Sequence, residues 1–171
     1  MTFSVHEASV PIFRQSLAAL SAVLDKAEEH CKNDDRDPTE LLATRLAPDM
    51  YKLTEQVQRA TFHASQCTAQ LGQVETPSFD NDEANFDDLR GRISNTINYV
   101  SSFTPDRFEG SEQRIHQIPT RIAVLELPGQ DFLFHFALPQ FFFHVTTAYD
   151  IVRHAGVEIG KRDYLGSASN R

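Results

Sequence analysis

The sequence predicts an all-α protein, an antiparallel four-helix bundle with a short β or extended excursion between its third and fourth long helices. Three observations carry that prediction. Apolar residues recur at spacings of three and four in four separate segments, the period of a helix with one buried face. Polar connections marked by proline or glycine separate those segments. One stretch, RIHQIPTRIAVLELPG, replaces the helical period with β-branched residues, alternation and prolines, as a strand pair does.

Long helices are expected near 5–31, 47–72, 85–103 and 139–155. In the first, Ile12, Phe13, Leu17, Leu20, Leu24, Ala27 and Cys31 form the stripe. Ser4 and Glu7 have the spacing of a capping box, and Pro11 predicts a kink or a restart. KNDDRDPTE is a polar connection. Within it Asp37, Pro38 and Glu40 read as the N-cap, first-turn proline and capping partner of a short helical turn ending near Ala47. Pro48 restarts the chain into the second long helix, striped by Leu46, Met50, Leu53, Val57, Ala60, Ala64, Cys67 and Leu71. Gly72 closes it as a C′ residue.

VETPSFDNDE is a loop, and Asn85 with Asp88 caps the third helix. Its stripe is Phe86, Leu89, Ile93, Ile97, Val100 and Phe103, and Thr104-Pro105 ends it. Residues 106–128 form the excursion. Residues 132–156, FLFHFALPQFFFHVTTAYDIVRHAG, hold six of the thirteen phenylalanines and three of the seven histidines. Phe132, Phe134 and Phe136 alternate, so strand and helix compete there. Beyond Pro139 the set His144, Ala148, Ile151, Val152 and Ala155 is helical, and Gly156 stops it. GKRDYLGSASNR reads as a tail.

The 171 residues suit a single domain, 1–171. A net charge of −8 without a block of lysines or arginines removes the basic face that nucleic acid or an anionic membrane surface requires. His135, Pro139 and Gln140 interrupt the longest apolar run, and a membrane-spanning helix needs about 20 largely apolar residues. No span is expected. The start MTFSVHEASVPIF lacks a basic region followed by an apolar run, and the two cysteines, Cys31 and Cys67, lack CxxC spacing. The expected setting is reducing and cytoplasmic.

No standard catalytic motif occurs, so candidate chemistry rests on single residues. His144 lies on the buried stripe of the last helix, and bundle interiors build metal and cofactor sites from such positions. The competing reading is a core histidine bonded to a neighbouring polar group. Asp49, Gln56, His63 and Gln70 recur every seven residues on one edge of the second helix. Neighbours in that row stand ~10.5 Å apart, so they cannot share one metal, and at most one is expected to meet His144. No HxxxH occurs, because Ala148 stands four residues after His144. Both cysteines fall on apolar stripes, where thiols are usually inert packing. Tyr149 is a bundle residue first and a proton donor second. Phe136 and Phe141 belong to an aromatic set that suits either core or an apolar pocket.

The segments LAPDMYKLTEQVQ, PSFDNDEANFDDLRGRI and LPQFFFHVTTAYDIVRHAGVEIGKRDYLG resemble an uncharacterised domain-of-unknown-function family, numbered nineteen ninety-three, of the DinB/YfiT-like superfamily. The resemblance spans nearly the whole chain. It implies an up-down-down-up bundle and a metalloenzyme-like ancestry, with zinc or nickel held by one histidine of the second helix and an HxxxH pair on the fourth. His144 matches the first of that pair, Ala148 stands at the second, and His63 lies well past the usual place on the second helix, so the three-histidine pattern is incomplete. A homodimer is also implied.

Two functions from different classes follow. One is an enzyme, or degenerate enzyme, acting on a small organic molecule between the second and fourth long helices. In it His144 is a metal ligand or general base, Tyr149 a proton donor, Asp49 or Gln56 a binder of the polar end, and Phe136 and Phe141 the apolar wall. The alternative is a non-catalytic bundle that dimerises or binds a small molecule.

Overall fold

A computed structural model describes residues 4–120 and 122–166. It is mainly helical with one small antiparallel sheet. The long helices are α1 (Val10–Asn33), α3 (Leu53–Leu71), α4 (Phe86–Ser101) and α6 (Leu138–His154). α2 (Pro38–Leu42), α5 (Gly129–Asp131) and α7 (Lys161–Leu165) are short. β1 (Ile115–Pro119) and β2 (Val124–Pro128) form the hairpin expected in the excursion, paired from Ile115 with Pro128 to Pro119 with Val124. α1 packs on α4, α7 and α6, and α3 on α6 and α4. The stripes predicted from periodicity meet in the middle, with Phe13, Leu17, Leu24, Val57, Ala60, Leu89, Phe141 and Ile151 wholly buried. Burying each large apolar side chain is worth about 1.5–3 kcal/mol, so these stripes drive the packing. Among the described residues no helix is long and apolar enough to cross a membrane.

Element types follow the sequence more closely than their boundaries. α1 begins at Val10 rather than 5, because Pro11 occupies its first turn, where a missing N–H costs nothing. The Ser4 hydroxyl still accepts from the Glu7 N–H, at 3.3 Å. Asp37 caps α2 through its carboxylate, 2.8 Å from the Thr39 N–H, and the turn ends at Leu42. α3 starts at Leu53, not near Pro48. Glu55 caps it by accepting the Lys52 N–H at 2.9 Å, which leaves Leu46 and Asp49 exposed in the preceding turn. Gly72 follows α3 with φ −84, and the left-handed residue is Gln73. Glycine is needed at 72 for space instead: a Cβ there would stand 2.6 Å from the Phe103 ring. Asn85 caps α4 as expected, accepting the Asp88 N–H at 2.8 Å.

The phenylalanine-rich segment differs most from expectation. Helical structure begins at Gly129, ten residues before the predicted start, and Phe132–Ala137 forms a π-helical turn that runs into α6. The Leu138 N–H donates to the Leu133 carbonyl, five residues back. Pro139 explains the wide turn, since it lacks an N–H and its ring crowds the carbonyl four residues earlier. The supposed tail contains α7, packed on α1. Its Asp163 accepts the Gly160 N–H at 2.7 Å and pairs with Lys26 of α1 at 2.7 Å.

Candidate functional site

The seam between α3 and α6 carries a cluster of buried polar side chains. Gln56, His63 and His144 are 1%, 4% and 5% exposed, and polar groups so deeply buried need partners. Gln56 and His144 find one in each other. The Gln56 amide nitrogen donates to the Tyr51 carbonyl at 3.1 Å, which turns its oxygen toward His144. That oxygen accepts from Nδ1 of His144 at 2.7 Å. His144 is thereby the Nδ1–H tautomer, with its Nε2 lone pair unprotonated. On its face His144 stacks with His63, ring centroids 5.4 Å apart and planes 8° from parallel. Phe143 meets the same ring edge-on at 5.2 Å.

His63 has a second neighbour that periodicity did not single out. Nη2 of Arg59, one turn earlier on α3, points at Nε2 of His63 from 3.4 Å, while its guanidinium lies 4.9 Å over the Phe62 ring. Both imidazoles are strongly resistant to protonation. Burial, then the Arg59 charge and His144, push His63 down to about 3, against an opposing hydrogen bond with Gln66. Burial, then Arg59, push His144 down to about 4. At neutral pH the seam therefore holds two neutral rings beside one fixed cation. The spacing of Arg59 and His63, four residues apart on one helix face, was the available signal for this neighbour.

A cleft of ≈ 410 Å³ opens beside this cluster. Arg59, Phe62, His63 and Gln66 of α3 form one wall, and Phe136 and Gln140 form the other. Pro119 and Thr120, at the hairpin turn, close it. The π turn places Phe136 here, in keeping with the tendency of such turns to mark functional sites.

The predicted site residues divide accordingly. Gln56, His63 and His144 come together, and Phe136 lines the cleft beside them. The expectation that one member at most of the row meets His144 is overturned, since Gln56 and His63 both do. The His144 ring sits between them and spans the gap, so a spacing that forbids a shared metal permits a shared neighbour. Gln70 turns instead to the hairpin, at 3.4 Å from the Gln117 carbonyl. Asp49 is exposed before α3 begins. Phe141 is wholly buried against Phe13 of α1, ring centroids 4.9 Å apart. Tyr149 faces α7, 5.6 Å from the Tyr164 ring. Five residues beyond His144, it stands about 140° around the helix.

The residues present do not fit the metal that the resemblance implies. Among the described residues, no group of three or more His, Cys, Asp and Glu side chains is arranged to hold a metal ion. A metal bound by an imidazole nitrogen lies near the plane of that ring, and tetrahedral ligands converge on it. Stacked planes 8° apart share no such point within reach of both rings. The guanidinium at His63 Nε2 repels a second cation. Ala148, at the position of the missing histidine, is wholly buried.

Among curated proteins none matches the chain. Among solved structures, a DinB family member from Shewanella denitrificans is similar at 36% identity and a TM-score of 0.90. The match covers 95% of this chain and 92% of that one. This likeness agrees with a DinB-like fold. The family described as domain of unknown function (DUF1993) matches residues 5–165, and the chain belongs to it.

Proposed function

We propose that the chain is a single-domain antiparallel four-helix bundle that binds a small organic molecule in the cleft beside His63, at the seam of α3 and α6. The observation that carries this reading is a pair of neutral, buried, stacked imidazoles, one of which lines a half-apolar cleft of ≈ 410 Å³. Clefts of a few hundred Å³ with a few convergent polar groups are the usual form of such sites. Gln56 and His144 hold His63 from behind, by hydrogen bond and stacking, so that the ring facing the cleft is fixed in place.

Binding is better supported than proton-transfer catalysis. A general base works best with a pKa near the working pH, whereas His144 is held down to about 4 and His63 to about 3. Tyr149, the proton donor of the catalytic reading, stands with Tyr164 on another face of α6.

Imidazole C–H resonances report directly on the cleft. In a screen of neutral and charged aromatic fragments, binders are expected to move the His63 signal and leave that of His30, on α1, unchanged. A screen in which no fragment moves His63 refutes the reading.

A further inference from the structure

The chemical class of ligand follows from the charges around the cleft, on the footing that the cleft is a binding site. We infer that its ligand is a small organic carboxylate, held by the guanidinium of Arg59 with its apolar body between Phe62 and Phe136.

Arg59 is the residue that points this way. Two arginines of α4 are compensated by carboxylates. Arg90 has Asp25, Glu28 and Asp87, and Arg92 has Glu83. Among the described residues Arg59 forms no ion pair, and its Nε is buried without a hydrogen-bond partner. Among the described residues its hydrogen-bonding contact is a ring nitrogen at 3.4 Å, a long one. A partly buried cation left uncompensated is costly, and here it also depresses both histidines. A bound anion supplies the missing partner.

The cleft lining selects the kind of anion. Among the described residues Arg59 is the sole charged residue of its lining, so one negative charge finds a partner there. A planar carboxylate suits the fork of a guanidinium. Phe62 and Phe136 supply its apolar lining, and the amides of Gln66 and Gln140 can donate to the free edge of the carboxylate. A second cleft, of ≈ 380 Å³, shares Arg59 and Phe62 and also carries Glu55 and Arg92; Arg92 is already engaged by Glu83, and the Glu55 carboxylate weighs against an anion there. The hairpin side, with no carboxylate among its described lining residues, is the one assigned to the anion.

The test compares benzoate with benzamide, which has the same shape and no charge, and with phenyl phosphate, which carries more charge. Binding is followed through the His63 resonance and calorimetry in the full chain. Wild type is expected to bind benzoate at least about tenfold more tightly than benzamide, with phenyl phosphate no tighter than benzoate. Arg59→Gln brings benzoate down to the level of benzamide. Arg59→Lys, which keeps charge but loses the fork, falls between, and its melting curve confirms the fold. Equal binding of benzoate and benzamide, or benzoate affinity indifferent to Arg59→Gln, overturns the carboxylate and leaves the cleft as a neutral-ligand site. Tighter phenyl phosphate also overturns the carboxylate. If neither benzamide nor benzoate moves His63, the binding site itself fails and the inference falls with it.

Discussion

Helix α3 offers two seams, and each carries an arginine that is treated differently. Toward α4, the Arg92 side chain is 3% exposed and fully accompanied. It reaches Glu83 at 2.7 Å, the Thr61 hydroxyl at 2.7 Å and the Gln58 carbonyl at 3.3 Å, and lies 4.3 Å over the Phe79 ring. Gln58 also donates to Glu83 at 2.7 Å. The loop between α3 and α4 supplies both Phe79 and Glu83, so the ion pair pins that loop to the helices. Toward α6, Arg59 meets no carboxylate among the described residues, and the buried polar groups beside it are neutral rings. The contrast separates a seam whose charges are satisfied within the chain from one left open. Buried charge that is paired is structural; buried polarity beside an unpaired cation has room for a ligand.

The largest expected effect breaks the closed seam. Glu83→Ala leaves Arg92 buried without its counter-charge, and removing one partner of a buried pair costs about 3–5 kcal/mol. Glu83 is itself 11% exposed, which puts the expected loss near the lower end, about 3 kcal/mol. Urea denaturation measures it. Replacing both partners, as Glu83→Leu with Arg92→Leu, is expected to recover most of the loss. A single-variant loss below about 1 kcal/mol would show that water reaches Arg92 and that the seams differ less than their geometry indicates.

His144→Ala probes the open seam with a smaller effect. It removes a packed ring and strands the Gln56 amide oxygen. Cavity and unmet hydrogen bond together predict a loss of roughly 2–4 kcal/mol. His144→Gln, which can still donate to Gln56, is expected to lose less. Equal losses in the two variants would mean that stacking, not the hydrogen bond, holds His63.

Acid separates the seams by pH. Both histidines fold with values far below their ordinary 6.5, so below pH 6.5 the unfolded chain takes up protons that the folded seam refuses. Stability at the open seam is full above pH 6.5 and falls as pH drops toward about 4, by at most about 1.4 kcal/mol per pH unit for each histidine. Glu83 follows the other rule. Burial raises it, but hydrogen bonds from Arg92 and Gln58 and the Arg92 charge prevail and hold it below its ordinary 4.5. Its contribution is full above pH 4.5 and is lost only as pH falls through the lower folded value. His63→Gln is therefore expected to flatten the stability curve between pH 6.5 and about 3, leaving the slope that His144 imposes down to about 4. A variant curve parallel to wild type throughout would contradict the buried neutral state.

What the sequence made legible follows the range of the interactions involved. Local signals worked: Asp37 and Asn85 cap where they were expected to, and the prolines and β-branched residues of 115–128 mark the hairpin. Helix starts near proline were misplaced, because Pro11 is equally compatible with a kink and a first turn, and Pro48 with a restart and a bend. The alternating phenylalanines concealed the π turn, whose cause is the proline that follows them. In the site, the row of Gln56 and His63 was visible, as was the buried place of His144. Asp49 was misread because α3 starts four residues beyond it. Phe136 and Phe141 could not be told apart by type; only the packing of α1 sends Phe141 to the core. Arg59 was marked only by its place four residues before His63, and its lack of a carboxylate partner is a fact of packing that the sequence does not carry.

The smallest expected effect sharpens the open seam most. A ligand that binds only the folded state at a hundredfold excess over its Kd stabilises by about 2.7 kcal/mol, which raises the Tm of a protein this size by several degrees. If His63 and His144 form half of a zinc or nickel site, adding either ion therefore has a visible effect. The geometry predicts none. The rings lie face to face, Nδ1 of His144 is committed to Gln56, Nε2 of His63 faces Arg59, and Ala148 offers no third nitrogen. Wild type and His144→Ala are expected to respond alike, each by less than about 1 °C, at metal concentrations that saturate ordinary zinc sites. A rise of several degrees in wild type, lost in His144→Ala, would require the stack to open so that both lone pairs converge on the ion. The charge of Arg59 would then oppose the metal, so Arg59→Gln would be expected to strengthen that response while weakening the carboxylate.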